Sequence, residues 1–119
     1  MNNISKLLIT VIITTTFGFS QTTYIPDDNF EQALIDLGYD DVLDDYVLTA
    51  NISGVEDLNV MEKEISDLTG IEDFTALTHL ICRWNQLTSV DVSNNTALTN
   101  LECMGNELTS LDVSNNTAL

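Results

Sequence analysis

From Leu77 onward the apolar residues of this chain fall on a fixed ruler. Leu77, Leu80 and Cys82 lead to Asn85; Leu87, Val90 and Val92 lead to Asn95; Leu98, Leu101 and Cys103 lead to Asn106; Leu108, Leu111 and Val113 lead to Asn116. The starts are spaced 10, 11, 10 and 11 residues, with Leu119 opening a further unit. Within each unit the L-x-C or V-x-V alternation sends two side chains inward and the intervening ones outward, the period of a strand. Two units make a longer repeat: Leu77–Ala97 and Leu98–Ala118 are identical at 15 of 21 positions. A tandem period of 20 to 30 residues with apolar residues at fixed places predicts a solenoid, because each coil buries its apolar edge only by stacking on the next. Asn85, Asn95, Asn106 and Asn116 stand where the chain must turn. An amide there can give both a donor and an acceptor to turning backbone that water does not reach.

Upstream the ruler loosens. Val55, Leu58 and Val60 look like the opening of a first coil, but Lys63 takes the asparagine position, so no asparagine stacking is expected in residues 55–76. Ile65, Leu68, Ile71, Phe74 and Leu77 are spaced by three instead. Before them, Phe30, Ala33, Leu34 and Leu37 form an i, i+3, i+4, i+7 stripe, Asp28 with Glu31 suggests a capping box, and Gly38 is a natural stop. An amphipathic helix over about 28–37 is too short to stand alone, so its stripe is expected to dock on the exposed edge of coil 1 as an N-terminal helical cap.

The motif L-x-x-L-x-C-x-x-N resembles the leucine-rich repeat. Its nested half-period is similar to the irregular 21-residue class in which both halves of a coil look alike. The triplet spacing of residues 65–77 is closer to the convex arm of a conventional bacterial repeat such as the internalin type. The segment from Thr23 to Ile52 resembles the leading cap of exported leucine-rich-repeat proteins from flavobacteria-like bacteria. The resemblance implies short parallel strands stacked coil on coil and an exported protein. It also implies that such chains often continue through more repeats into a C-terminal sorting domain. The sequence reaches Leu119 at the first residue of a new half-repeat, and a fragment of a longer protein is expected. The expected organisation is 1–20 leader, 21–54 cap, 55–76 degenerate coil, then 77–97 and 98–118.

The leader is a composition argument. Lys6 precedes the apolar run Leu7–Phe19, and Gly18 and Ser20 are small residues ahead of Gln21. That is the pattern of a secretory signal peptide, with an uncleaved anchor as the competing reading. Removing Lys6 leaves Lys63 and Arg83 against 19 carboxylates, one charge more negative than the −16 of the whole chain. Such a charge repels phosphate backbones and anionic lipid, which argues against nucleic-acid and membrane-surface roles. Fifteen of the 19 carboxylates lie between Asp27 and Asp73. Cys82 and Cys103 occupy the same place in successive coils, where Val92 and Val113 sit in the other half-coils. A position that accepts Val or Cys is a small core position, so both are expected as buried thiols, a disulfide being the alternative.

Catalytic chemistry is thin. His79 is the one histidine, so no His pair for zinc and no nucleophile–base spacing can be drawn. Asp40, Asp41, Asp44 and Asp45, with Asp36 nearby, are a weak calcium candidate without EF-hand order. The sequons at Asn51, Asn94 and Asn115 are better explained by turns than by glycosylation. No cofactor is expected. Of the six differences between the two repeats, five fall in one window: His79/Asn100, Ile81/Glu102, Arg83/Met104, Trp84/Gly105 and Gln86/Glu107. A constant scaffold that varies one face predicts a contact surface formed by His79, Ile81, Arg83, Trp84, Asn100, Glu102 and Met104. The opposite half-coil repeats Thr88, Ser89, Asp91 and Ser93 unchanged, as a neutral scaffold would. The expected function is a non-catalytic, secreted or cell-surface module that binds a protein or glycan. The alternative is a tethering segment of a larger surface protein whose activity lies beyond Leu119.

Overall fold

The computed structural model describes residues 20–119, so the expected signal peptide lies outside the described residues except for Ser20. The N-terminal region forms β1 (Thr22–Tyr24), the helix α1 (Asp28–Asp36), β2 (Tyr46–Leu48) and the single turn α2 (Thr49–Ile52). β1 and β2 pair antiparallel, with Thr22 opposite Leu48 and Tyr24 opposite Tyr46. Three further strands follow, β3 (Asp57–Asn59), β4 (His79–Ile81) and β5 (Asn100–Glu102), stacked parallel in the order β3-β4-β5. Leu58 pairs with Leu80 and Leu80 with Leu101, so one coil advances the chain by 22 residues and the next by 21. The triplet-spaced arm of coil 1 closes with a 3-10 turn over Ile71–Asp73, and Ile65, Leu68, Ile71, Phe74 and Leu77 are all buried. In coils 2 and 3 the second half carries no strand although its motif matches the first half.

The asparagine positions hold the coils together. The Asn85 Oδ1 accepts from the N–H groups of Lys63 and Ile65, while its Nδ2 donates to the carbonyls of Val60 and Cys82. Thus coil 1 lacks its own asparagine but uses that of coil 2. Asn106 repeats the arrangement one coil later, donating to Cys82 O and Cys103 O and accepting from Leu87 N–H. Asn95 donates to Ile71 O and Phe74 O, and Asn116 to Val92 O and Asn95 O.

α1 lies on coil 1, its Phe30 ring stacked 6.3 Å from that of Phe74. Phe30, Ala33 and Leu34 are buried as their spacing predicts, but Leu37 is not: it falls at the helix C-cap and is 46% exposed. Gly38 follows at φ +86°, the left-handed conformation that ends the helix. The expected capping box is also displaced. Asp27 is the N-cap, its Oδ1 accepting from Asn29 N–H and Phe30 N–H, and its Oδ2 accepts from Ser66 N–H and Asp67 N–H of coil 1. One carboxylate therefore starts the helix and ties it to the solenoid. Glu31 turns away from the cap; it is fully buried and accepts from Asp44 N–H and Asp45 N–H. Gly70 is needed where this region meets coil 1. Its φ is +106°, and a Cβ there would lie 2.2 Å from Ile25 Cδ1 and 2.9 Å from Tyr24 O.

Both cysteines are free. Cys82 is fully buried. Cys103 is half-buried, as are Leu101 and Leu108, because no further coil covers them among the described residues.

Candidate functional site

The parallel register aligns the variable residues in columns across the coils. His79 stands between Asp57 and Asn100, and Ile81 between Asn59 and Glu102. Past the strand ends, Arg83 O accepts from Glu62 N–H, and Met104 O accepts from Trp84 N–H. The sheet therefore brings all seven predicted contact residues to one face and its rim, with Asp57, Asn59, Met61 and Glu62 of coil 1 continuing the columns. Sequence reading missed those four because coil 1 departs from the repeat.

The columns are internally paired. His79 Nδ1 lies 3.1 Å from Asp57 Oδ1 and 2.9 Å from Thr78 Oγ1. Arg83 Nε approaches Glu102 Oε2 at 3.3 Å, and its Nη2 reaches Met61 Sδ at 3.9 Å. The Nε–H has no aligned acceptor, so the Arg83–Glu102 pairing is a charge contact rather than a well-formed hydrogen bond. Asn100 Nδ2 donates to Glu102 Oε1 at 3.4 Å. Ile81 is half-buried between its neighbours, whereas Trp84 and Met104 stand out at 55% and 61% exposure.

Trp84 is held unusually. Its φ is +56°, and Glu62 and Gly105, the corresponding residues of the adjacent coils, also have positive φ. A left-handed backbone is costly for a bulky residue and persists only where the surroundings impose it. The conformation recurs in all three coils, so it belongs to the repeat, and Trp84 N–H donates to Met104 O of the next one. A Cβ on Gly105 would fall 2.2 Å from Trp84 Cε3, so the indole lies on the glycine backbone itself. The Trp84/Gly105 difference between repeats is thus one contact seen from both sides.

The other candidates do not assemble. Of the four aspartates proposed for calcium, only Asp45 enters a close carboxylate group, with Asp28 and Glu31, whose oxygens lie within 4.8 Å of one another. Asp40 Oδ1 accepts from Asp41 N–H, and Asp44 Oδ1 accepts from Tyr46 N–H. On the opposite half-coil Asp91 and Asp112 bond the serines two residues on, contacts that hold both carboxyls below the usual range. Burial pushes the Cys82 thiol up to about 12, which makes it inert as a nucleophile.

No protein-family model matches the chain. Over 87 residues, 70% of this chain and 9% of the relative, it is 38% identical to Internalin J of Listeria monocytogenes serotype 4b (strain F2365). The chain thus spans about a tenth of that relative's length. Among solved structures it is similar to the functional domain of InlJ from Listeria monocytogenes, which is described as including a cysteine ladder. That match has a TM-score of 0.73 at 38% identity, over 84% of this chain and 23% of the other. The internalin inlF of Listeria monocytogenes strain 4b F2365 gives 0.74 at 26% identity, covering 81% and 29% of the two chains. Internalin C2 of the same strain gives 0.64 at 23% identity over 82% and 51%, a likeness of fold alone.

Proposed function

We propose, from the premise that the chain is a leucine-rich-repeat protein of the bacterial type, that it is a non-catalytic extracellular module. It would bind a protein or glycan through the β3-β4-β5 face. One observation carries this reading: five of the six differences between two otherwise matching repeats fall in the window of that face and its rim, while the opposite half-coil changes only Val90 to Leu111, one aliphatic for another. Trp84 and Met104 give the face exposed apolar area, and Arg83 adds a guanidinium steadied by Met61 and Glu102. Trp and Arg are enriched among residues that dominate binding energy. In this reading residues 21–54 are the cap that closes the first coil, and residues 55–119 are the repeats. Cys82 and Cys103 would form two rungs of a cysteine ladder, as thiols packed coil on coil.

The test compares two variants against arrayed glycans and extracellular proteins. Trp84→Gly places in coil 2 the residue that coil 3 already carries, so the fold should hold while binding is lost. Asp112→Asn, on the unchanging side, should leave binding intact. Binding that survives Trp84→Gly, Arg83→Ala and Met104→Ala together would favour the tethering role.

A further inference from the structure

The ribbon β1–β2 has one packed face and one bare one. Thr23 and Val47 point inward and are buried, and Thr23 Oγ1 donates to Asp73 Oδ2 of coil 1 at 2.7 Å. On the outer face Tyr24 and Tyr46 are ladder partners, their rings 5.4 Å apart and tilted by 39°. They are 50% and 48% exposed, and Leu48 beside them is 46% exposed. Two adjacent aromatic faces and a leucine left in water form an apolar platform about as wide as the ribbon allows.

The charge around this platform has one sign. Asp44 and Asp45 lead directly into Tyr46, and Asp45 shares its 4.8 Å group with Asp28 and Glu31. Among the described residues the only lysine and arginine are Lys63 and Arg83. Arg83 faces Glu102 on the far sheet, and Lys63 follows β3 in coil 1. Neither answers the carboxylates beside the tyrosines. The platform is also preorganised, because the buried Glu31 accepts from both Asp44 N–H and Asp45 N–H and so fixes the approach to β2.

We propose that the outer face of β1–β2 docks a lysine- or arginine-bearing segment of a partner polypeptide. The cationic head lies over the Tyr24 and Tyr46 ring faces, its aliphatic stem runs along Leu48, and the flanking aspartates lie at the rim. A ring face attracts a cation through its quadrupole, and the acidic field of the molecule steers cations toward it. This surface is separate from the β3-β4-β5 face, and it stands or falls independently of what that face binds.

Hexalysine is the probe, added to the whole chain and followed in every variant by the backbone amide resonances of β1 and β2, and in the parent also by the ring resonances of Tyr24 and Tyr46, with hexaglutamate as the control. Hexalysine is expected to shift both tyrosines, with an affinity that falls steeply as salt rises from about 50 to about 300 mM. Tyr24→Leu/Tyr46→Leu keeps apolar bulk without a π face and is expected to weaken binding about tenfold. Tyr24→Phe/Tyr46→Phe should bind as the parent does, with melting temperatures of both pairs close to the parent's. Equal binding by the leucine pair would overturn the proposal, since it would mean diffuse attraction to the acidic surface. So would ring shifts that follow protein concentration alone, which would assign the face to a second copy of the chain, or rings that hexalysine leaves unmoved.

Discussion

Glu31 lies on the buried side of α1, where both of its oxygens accept backbone N–H groups and burial raises its pKa above the ordinary 4.5. A raised folded-state value means that the native chain holds this proton more tightly than the unfolded chain. The stabilisation linked to it is complete below about pH 4.5 and is lost as pH rises through the folded value. Urea unfolding across mild acid should show stability falling with rising pH in that window, and Glu31→Gln should flatten the slope. Glu31→Gln should also be less stable at every pH, by about 1–3 kcal/mol, because its NH2 faces one of two N–H donors. A variant as stable as the parent would show that the loop re-forms its bonds elsewhere. Trp84 and Gly105 make a second residue-scale test. Gly105→Ala puts a methyl group where the indole lies, at φ +73°, and should cost about 1–2 kcal/mol. Trp84 is the only tryptophan, so displacement of the ring should red-shift the emission of the whole protein. In the Trp84→Gly background the same Gly105→Ala change should cost less, leaving only the backbone part. A double-mutant cycle with no coupling would remove the contact from the account.

At the scale of elements, α1 is attached to coil 1 by the Phe30–Phe74 stack and by the two oxygens of Asp27. Asp27→Asn separates these jobs: the amide oxygen can still cap the helix, but an NH2 cannot accept from Ser66 and Asp67. Hydrogen exchange at Ser66 and Asp67 should quicken while α1 stays protected; unchanged exchange would mean that the second oxygen contributes nothing. Phe30→Asp should loosen the whole contact, because it places a charge against Phe74. How far these elements could be read from sequence depended on whether their cause was local. The stripe Phe30, Ala33, Leu34 was legible because helical period is a short-range property. Asp27 and Asp28 offer the same capping chemistry, and the choice between them is made by Ser66 and Asp67, 39 and 40 residues away. Leu37 was counted into the stripe because the boundary at Gly38 lies one residue on. The ribbon β1–β2 was not foreseen, since three-residue strands leave too few positions to show alternation. For the strand face, the repeat comparison found the columns of coils 2 and 3 but not Asp57 or Met61, where the repeat is degenerate. The handling of Trp84 by Gly105 was written in the alignment as a paired difference, but only the packing explains why it is paired: a Cβ at 105 would fall where the indole lies.

For the molecule as a whole, the described residues carry their negative charge against two cations, and acid crowds the region from Asp27 to Asp73. Self-repulsion of this kind is screened by salt, so the melting temperature should rise between about 10 and about 150 mM monovalent salt. A fall would mean that the Arg83–Glu102 contact outweighs the net field. Alkylation after denaturation without reductant should count two thiols, in keeping with free Cys82 and Cys103; a count of zero would replace the packed rungs with a bridge. The asparagines add something that stability alone does not express. Every bond their side chains make runs within their own coil or back to the one before: Asn85 to Val60, Asn95 to Phe74, Asn106 to Cys82 and Asn116 to Val92. None reaches forward. If turns are laid down from the N-terminus, each asparagine should meet carbonyls already in place in the coil before it, and pulse-labelled hydrogen exchange should then show coil 1 protected before coils 2 and 3. Loss of an asparagine should therefore be felt first in the coil behind it: Asn85→Ala strands the Val60 carbonyl of coil 1, and Asn116→Ala the Val92 and Asn95 carbonyls of coil 2.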